Sequence, residues 1–118
     1  METYLFVYGT LRRGSDNKFA RLLSERGQFL CEARVSGRLY DLGRYPGARR
    51  SDQPGESILG EVFQLDEPDD ILAALDEYEG AEFERAMVSI PGRMDCWIYW
   101  YAGPAAGQLV VSGDWFRR

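Results

Sequence analysis

The sequence predicts an α+β domain with a curled or closed sheet. Three observations carry that prediction. Short runs rich in aromatic and β-branched residues recur along the chain, and two segments between them carry the apolar stripe of an amphipathic helix. The 118 residues show neither an internal repeat nor a linker, which argues for one unit spanning residues 1–118.

The elements follow in order. Residues 4–8 (Tyr-Leu-Phe-Val-Tyr) read as a buried strand ending at Gly9. A glycine-bounded loop runs to Gly14, and Ser15 or Asp16 is placed to cap a helix over 17–26. Phe19, Leu22 and Leu23 share one face of that helix and Gly27 stops it. Residues 29–40 read as extended around Gly37. The stretch 41–57 is rich in Gly, Pro, Arg and Ser without a sustained period, so it reads as a long loop of the kind that is usually functional and that permits a lid.

Residues 58–65 form the next strand. Pro68 suits a first helical turn, and Ile71, Leu72, Leu75 and Tyr78 form the stripe of a helix closed by Gly80. Residues 83–90 and 94–101 pair as a hairpin about Pro91-Gly92-Arg93, with 97, 99 and 101 on one side and 98 and 100 on the other. A turn-rich break at 103–107 precedes a last short strand over 109–111.

Composition narrows the function. There is no histidine, which excludes Ser-His-Asp and Cys-His catalysis, histidine-ligated metals and histidine pH switches. Cys31 and Cys96 stand alone, without the paired spacing of a zinc or redox site, and read as two buried thiols; no metal and no cofactor is expected. Net charge is −5, and the 14 basic residues are scattered, with Lys18 the sole lysine, so a nucleic-acid partner is not expected. With no apolar run of membrane-spanning length and no signal-peptide pattern at the N-terminus, the chain reads as soluble and cytoplasmic, with no membrane partner. Proton transfer near neutral pH would then fall to a carboxylate with a raised pKa.

Two segments offer such chemistry. In Val7-Tyr-Gly-Thr-Leu-Arg-Arg-Gly14, the loop after the first strand presents backbone N–H groups in a concave nest suited to an anion. Gly9 and Gly14 have the spacing of a phosphate-binding P-loop, but the Lys-[Ser/Thr] that must follow is missing. Arg12 and Arg13 read as solvated in preference to assisting a bound carboxylate. In Leu75-Asp-Glu-Tyr-Glu79-Gly80, carboxylates crowd the negative end of a helix dipole, with Glu82 and Glu84 close by. Turned inward, Glu79 would lose solvent as well, and a carboxylate so tuned serves as base and acid at neutral pH. Arg85 reads as a structural ion pair with a neighbouring carboxylate, and Trp97, Tyr99 and Tyr101 as core or cavity wall.

Taken together, these segments resemble the γ-glutamylcyclotransferase-like family, which includes the γ-glutamylamine cyclotransferases and the plant avirulence-induced proteins. The resemblance extends through Asn17, Tyr45-Pro46, Gly60-Glu-Val62, Arg85, Val88 and Ser112-Gly-Asp-Trp115, and covers most of the chain in order. It implies a small mixed β-barrel with flanking helices and a cavity at one mouth. It also implies that Tyr8, Gly9, Thr10 and Leu11 bind substrate, and that Glu79 of the Asp-x-x-Glu motif is catalytic. Tyr78 stands where relatives often carry Phe, and Tyr45 is placed to line the cavity mouth.

The implied reaction cyclises the γ-glutamyl group of a γ-glutamyl amine or amino acid to 5-oxoproline and releases the amine. The nest would hold either the α-carboxylate or the developing oxyanion. Two rival readings keep the same cavity: a protein that binds a small metabolite or a partner without turnover, and an amidase in which Glu79 activates water. The sequence does not rank the leaving amines or fix an oligomeric state.

Overall fold

The computed structural model describes residues 2–104 and 107–118. Eight strands and two α-helices follow in the order β1 (Thr3–Val7), α1 (Lys18–Arg26), β2 (Gly27–Ser36), β3 (Arg38–Asp41), β4 (Pro46–Arg49), β5 (Ser57–Leu65), α2 (Pro68–Glu79), β6 (Phe83–Ile90), β7 (Met94–Tyr101) and β8 (Gln108–Leu109). A 3₁₀ turn at Trp115–Arg117 closes the chain. The strands make a five-stranded sheet, β2-β5-β1-β7-β6, and a three-stranded sheet, β4-β3-β8. β1 pairs parallel to β7, while every other ladder is antiparallel. This is the α+β fold with mixed sheets that the pattern predicts.

Strand alternation builds two cores on opposite faces of the large sheet. Phe6, Tyr8, Val62, Cys96, Ile98 and Trp100 face inward, where Leu39, Ala48 and Val110 of the small sheet region meet them. Leu30, Cys31 and Ala33 from β2, and Ala86 and Val88 from β6, flank that same cluster, so the sheet curls until its two edge strands share one interior. Leu5, Val7, Phe63 and Tyr99 point the other way and are covered by Leu23 of α1 and Ile71, Leu72 and Leu75 of α2. The helices therefore sit outside the curled sheet, on the face that β1 and β7 present.

Local details depart from expectation in four places. Asn17, rather than Ser15 or Asp16, caps α1: its Oδ1 accepts the Ala20 N–H at 2.8 Å. The stretch 41–57 is not one loop, because β4 pairs with β3 from Arg38↔Arg49 to Asp41↔Pro46, with a tight turn closed by Leu42 N–H to the Tyr45 carbonyl at 3.0 Å. Pro-Gly-Ala-Arg has little intrinsic strand preference. It is held extended by its partner strand and by packing so close that a Cβ on Gly47 would lie 2.9 Å from Tyr101 Cβ. The last strand covers Gln108–Leu109 instead of 109–111. Cys96 is buried, which pushes its thiol up to about 11, but Cys31 is only half-buried, and both are free. The break expected at 103–107 includes residues 105 and 106, which lie outside the described residues. Among the described residues no helix is long and apolar enough to cross a membrane.

Candidate active site

The turn after β1 starts with a hydrogen bond from Arg12 N–H to the Gly9 carbonyl at 3.0 Å. Gly9 is required there by close approach: a Cβ would sit 2.4 Å from Pro46 Cγ. The turn thus packs on the start of β4. Among the described residues the backbone N–H groups of Gly9, Thr10 and Leu11 have no protein acceptor. Those three residues line a cavity of about 200 Å³ together with Phe6, Val7, Tyr8, Tyr45, Pro46, Tyr78, Glu79, Phe83 and Tyr99. All six residues expected at the site, Tyr8, Gly9, Thr10, Leu11, Tyr45 and Glu79, meet there.

Each is held by identifiable contacts. Tyr8 is buried, with its hydroxyl donating to the Tyr99 carbonyl at 2.6 Å and accepting the Ala48 N–H at 3.3 Å. Its ring is therefore a fixed wall, and its phenol is raised by burial first and by the charge of Glu79 second. Thr10 Oγ1 shares a hydrogen bond with the Tyr78 hydroxyl at 3.0 Å, which ties the turn to the last turn of α2. Tyr78 in turn stacks on Phe19 of α1 with ring centroids 4.3 Å apart. Tyr45, 40% exposed, stands at the mouth with its ring 5.9 Å from that of Phe83.

Among the described residues, Glu79 is the one Asp, Glu, Lys or Arg in the cavity lining. Among the described residues its carboxylate accepts no hydrogen bond and pairs with no cation. Burial pushes its pKa from 4.5 up to about 7. Desolvation alone accounts for that rise, rather than the crowd of acidic neighbours in the motif. Asp76, one turn earlier, is neutralised by Arg85 through two hydrogen bonds of 2.8 and 3.1 Å, and also accepts the Tyr99 hydroxyl at 2.7 Å. Arg85 is thus the ion-pair partner expected of it, and its bond holds Asp76 below its ordinary value.

Arg12 corrects the sequence reading. It is 4% exposed, not solvated, with Nη1 2.7 Å from Asp114 Oδ1 and Nε 3.4 Å from Glu61 Oε2. Its guanidinium also lies 4.1 Å from the Phe116 ring centroid. Arg13 stays partly exposed, over the Phe29 ring, and lends its N–H to Glu61 at 2.8 Å. Buried charges require partners, and Arg12 finds two buried ones, with the exposed Glu32 a third at 4.0 Å.

Tyr78, Phe83, Pro46, Phe6 and Val7 complete the cavity wall without having been singled out for it. Tyr78 carried a signal: it is the aromatic residue beside Glu79, at a position on the helix's apolar stripe. Among the described residues no group of three or more Cys, Asp or Glu gathers as metal ligands would.

The sequence model of the family described as gamma-glutamyl cyclotransferase, AIG2-like matches residues 5–117. A Vibrio cholerae protein named "Putative gamma-glutamylcyclotransferase" is 39% identical over 125 residues, covering 100% of this chain and 99% of its own. The gamma-glutamylaminecyclotransferase of Bos taurus is 28% identical over 110 residues, 80% of this chain and 63% of that protein. The solution structure of ytfP from Escherichia coli superposes with a TM-score of 0.72 at 32% identity, covering 96% of each chain. Sequence and fold agree over nearly the whole length, and the chain belongs to the gamma-glutamyl cyclotransferase, AIG2-like family.

Proposed function

We propose that this chain cyclises the γ-glutamyl group of a γ-glutamyl amine or γ-glutamyl amino acid to 5-oxoproline, with Glu79 as general base and then general acid. The observation that carries the reading is Glu79 itself: an unpaired, half-buried carboxylate in the cavity, raised to about 7. A group with that pKa holds or gives up a proton at physiological pH at little cost either way. Ionised Glu79 takes a proton from the substrate's α-ammonium. The freed amine attacks the γ-carbonyl carbon, closing a five-membered ring. As the original amide C–N bond breaks, Glu79 returns its proton to the departing nitrogen and takes up the second proton of the ring nitrogen, leaving 5-oxoproline and the free amine. That last proton passes from Glu79 to the released amine, which leaves as its ammonium ion.

The cavity suits this division of labour. Its roughly 200 Å³ is below the usual range for drug-sized ligands, so it takes an amino-acid-sized glutamyl group and leaves the amine portion at the mouth beside Tyr45 and Phe83. Among the described residues no Lys or Arg lines it, so the substrate's α-carboxylate falls to the free N–H groups of Gly9, Thr10 and Leu11. Nucleophile and electrophile belong to one molecule, so most of the gain of a well-oriented intramolecular reaction, on the order of 7–11 kcal/mol, resides in the substrate itself, and the cavity has only to hold it in attack geometry. One acid–base group is then enough.

The test is 5-oxoproline release from a panel of γ-glutamyl amines and dipeptides, with wild type beside Glu79→Gln. Wild-type turnover with a fall in kcat of about 10²–10⁴-fold in the variant, product binding retained, supports the reading. Release of free glutamate would make the enzyme an amidase. Binding without turnover by wild type across the panel would make it a binding protein.

A further inference from the structure

We propose that Asn17 is a positioning residue that sets the direction of the anion-binding N–H groups, a role that rests on the reading of the turn above. Its side chain is divided between two tasks. Oδ1 accepts the Ala20 N–H at 2.8 Å and caps α1, while Nδ2 donates to the Thr10 carbonyl at 2.7 Å. The assignment of the two amide atoms is forced, because one neighbour is a donor and the other an acceptor.

The consequence lies in the peptide group that joins Thr10 to Leu11. In a trans peptide the carbonyl of one residue and the N–H of the next point in opposite directions. Asn17 does not line the cavity, whereas Thr10 and Leu11 both do. Drawing the Thr10 carbonyl toward Asn17 therefore turns the Leu11 N–H the opposite way, where among the described residues it has no protein acceptor. The neighbouring peptide is set similarly, since the Gly9 carbonyl is occupied by the Arg12 N–H. Without the Asn17 donor, the 10–11 peptide loses the hydrogen bond that anchors its carbonyl. Only the turn closed by the Arg12 N–H and the backbone preference of Leu11 then resist rotation of that carbonyl toward an incoming carboxylate, which it would repel. The start of α1 thus fixes the polarity of the turn that precedes it.

The two tasks separate by substitution. Asn17→Asp and Asn17→Ser both keep a good cap but lose the donor to Thr10: aspartate offers a second oxygen, and serine is too short to span the gap. Both variants are expected to melt within about 3 °C of wild type, yet to raise KM for a γ-glutamyl amine at least about tenfold with kcat little changed. Asn17→Ala, which loses the cap as well, is expected to show the same KM and a lower melting temperature. A fall in kcat at constant KM would also support the positioning role, with the N–H groups serving the oxyanion instead of the carboxylate. Wild-type KM and kcat in both the Asp and Ser variants would overturn it. The orientation of the 10–11 peptide in a crystal structure of Asn17→Asp gives a readout independent of turnover. A wild-type orientation there would overturn the role of Asn17 even if the chain proved to have no cyclase activity, and a flipped one would support it.

Discussion

Arg12, buried, and Glu79, half-buried, are both ionisable groups withdrawn from water, and their surroundings are opposite. Arg12 lies between Asp114 and Glu61, with the Phe116 ring across its guanidinium, and Glu61 accepts the Arg13 N–H as well. Asp114 illustrates the outcome: burial would raise its pKa, yet the Arg12 hydrogen bond and the Phe116 N–H hold it below the ordinary value. Glu79 has no such partners, and burial drives it upward to about 7. Burial with partners fixes a structural ion cluster in one place, and partial burial without them leaves a carboxyl raised to about 7 in the other. What separates them is whether countercharges arrive with the fold.

The contrast is broken most severely from the paired side. Arg12→Met leaves buried Asp114 and Glu61 with only the more exposed Arg117 and Arg13, each 3.5 Å away, as countercharges, and the expected loss is about 3 kcal/mol of folding stability, read by urea denaturation at pH 7. From the unpaired side the sign reverses. Folding raises the Glu79 pKa from 4.5 to about 7, so the folded protein retains a proton that the unfolded chain has released. Stability from this group is full below pH 4.5, falls as pH rises through about 7, and is flat above. Glu79→Gln removes that penalty and is expected to stabilise the fold by about 1–3 kcal/mol at pH 8 while changing little at pH 4. Denaturation of both proteins at the two pH values checks it.

Asp76 sharpens the comparison within a single helix. It is three residues from Glu79 and partly exposed, and Arg85 holds its pKa down. Its contribution is present at neutral pH and lost as pH falls below the ordinary 3.8 through the lowered folded value. Asp76→Asn is expected to cost only about 1 kcal/mol at pH 7, since half-exposed ion pairs are screened, and to match wild type in strong acid.

What could be read from sequence follows the range of the interactions. The apolar stripes of α1 and α2, the β6–β7 hairpin and the alternation of 97, 99 and 101 against 98 and 100 are local patterns, and each is present. Glu79 was legible because its motif placed it at the end of a striped helix. Arg12 was not, because its partners lie 49 and 102 residues away and nothing local distinguishes it from Arg13. β4 was hidden for a related reason: Pro-Gly-Ala-Arg becomes a strand through β3, Tyr101 and the packing of Pro46 on Gly9. The Tyr78–Thr10 contact, 68 residues apart, joins the two recognisable motifs and is visible only once α2 is folded over β1.

The most direct measurement is the titration of the Glu79 carboxyl itself, followed by ¹³C NMR across pH 3–9 with Glu79→Gln to assign the signal. The account predicts a midpoint near 7. A midpoint near the ordinary ~4.3 of a solvated glutamate would mean that the carboxylate is not set apart from its paired neighbours, and the proton-transfer role assigned to it would fall.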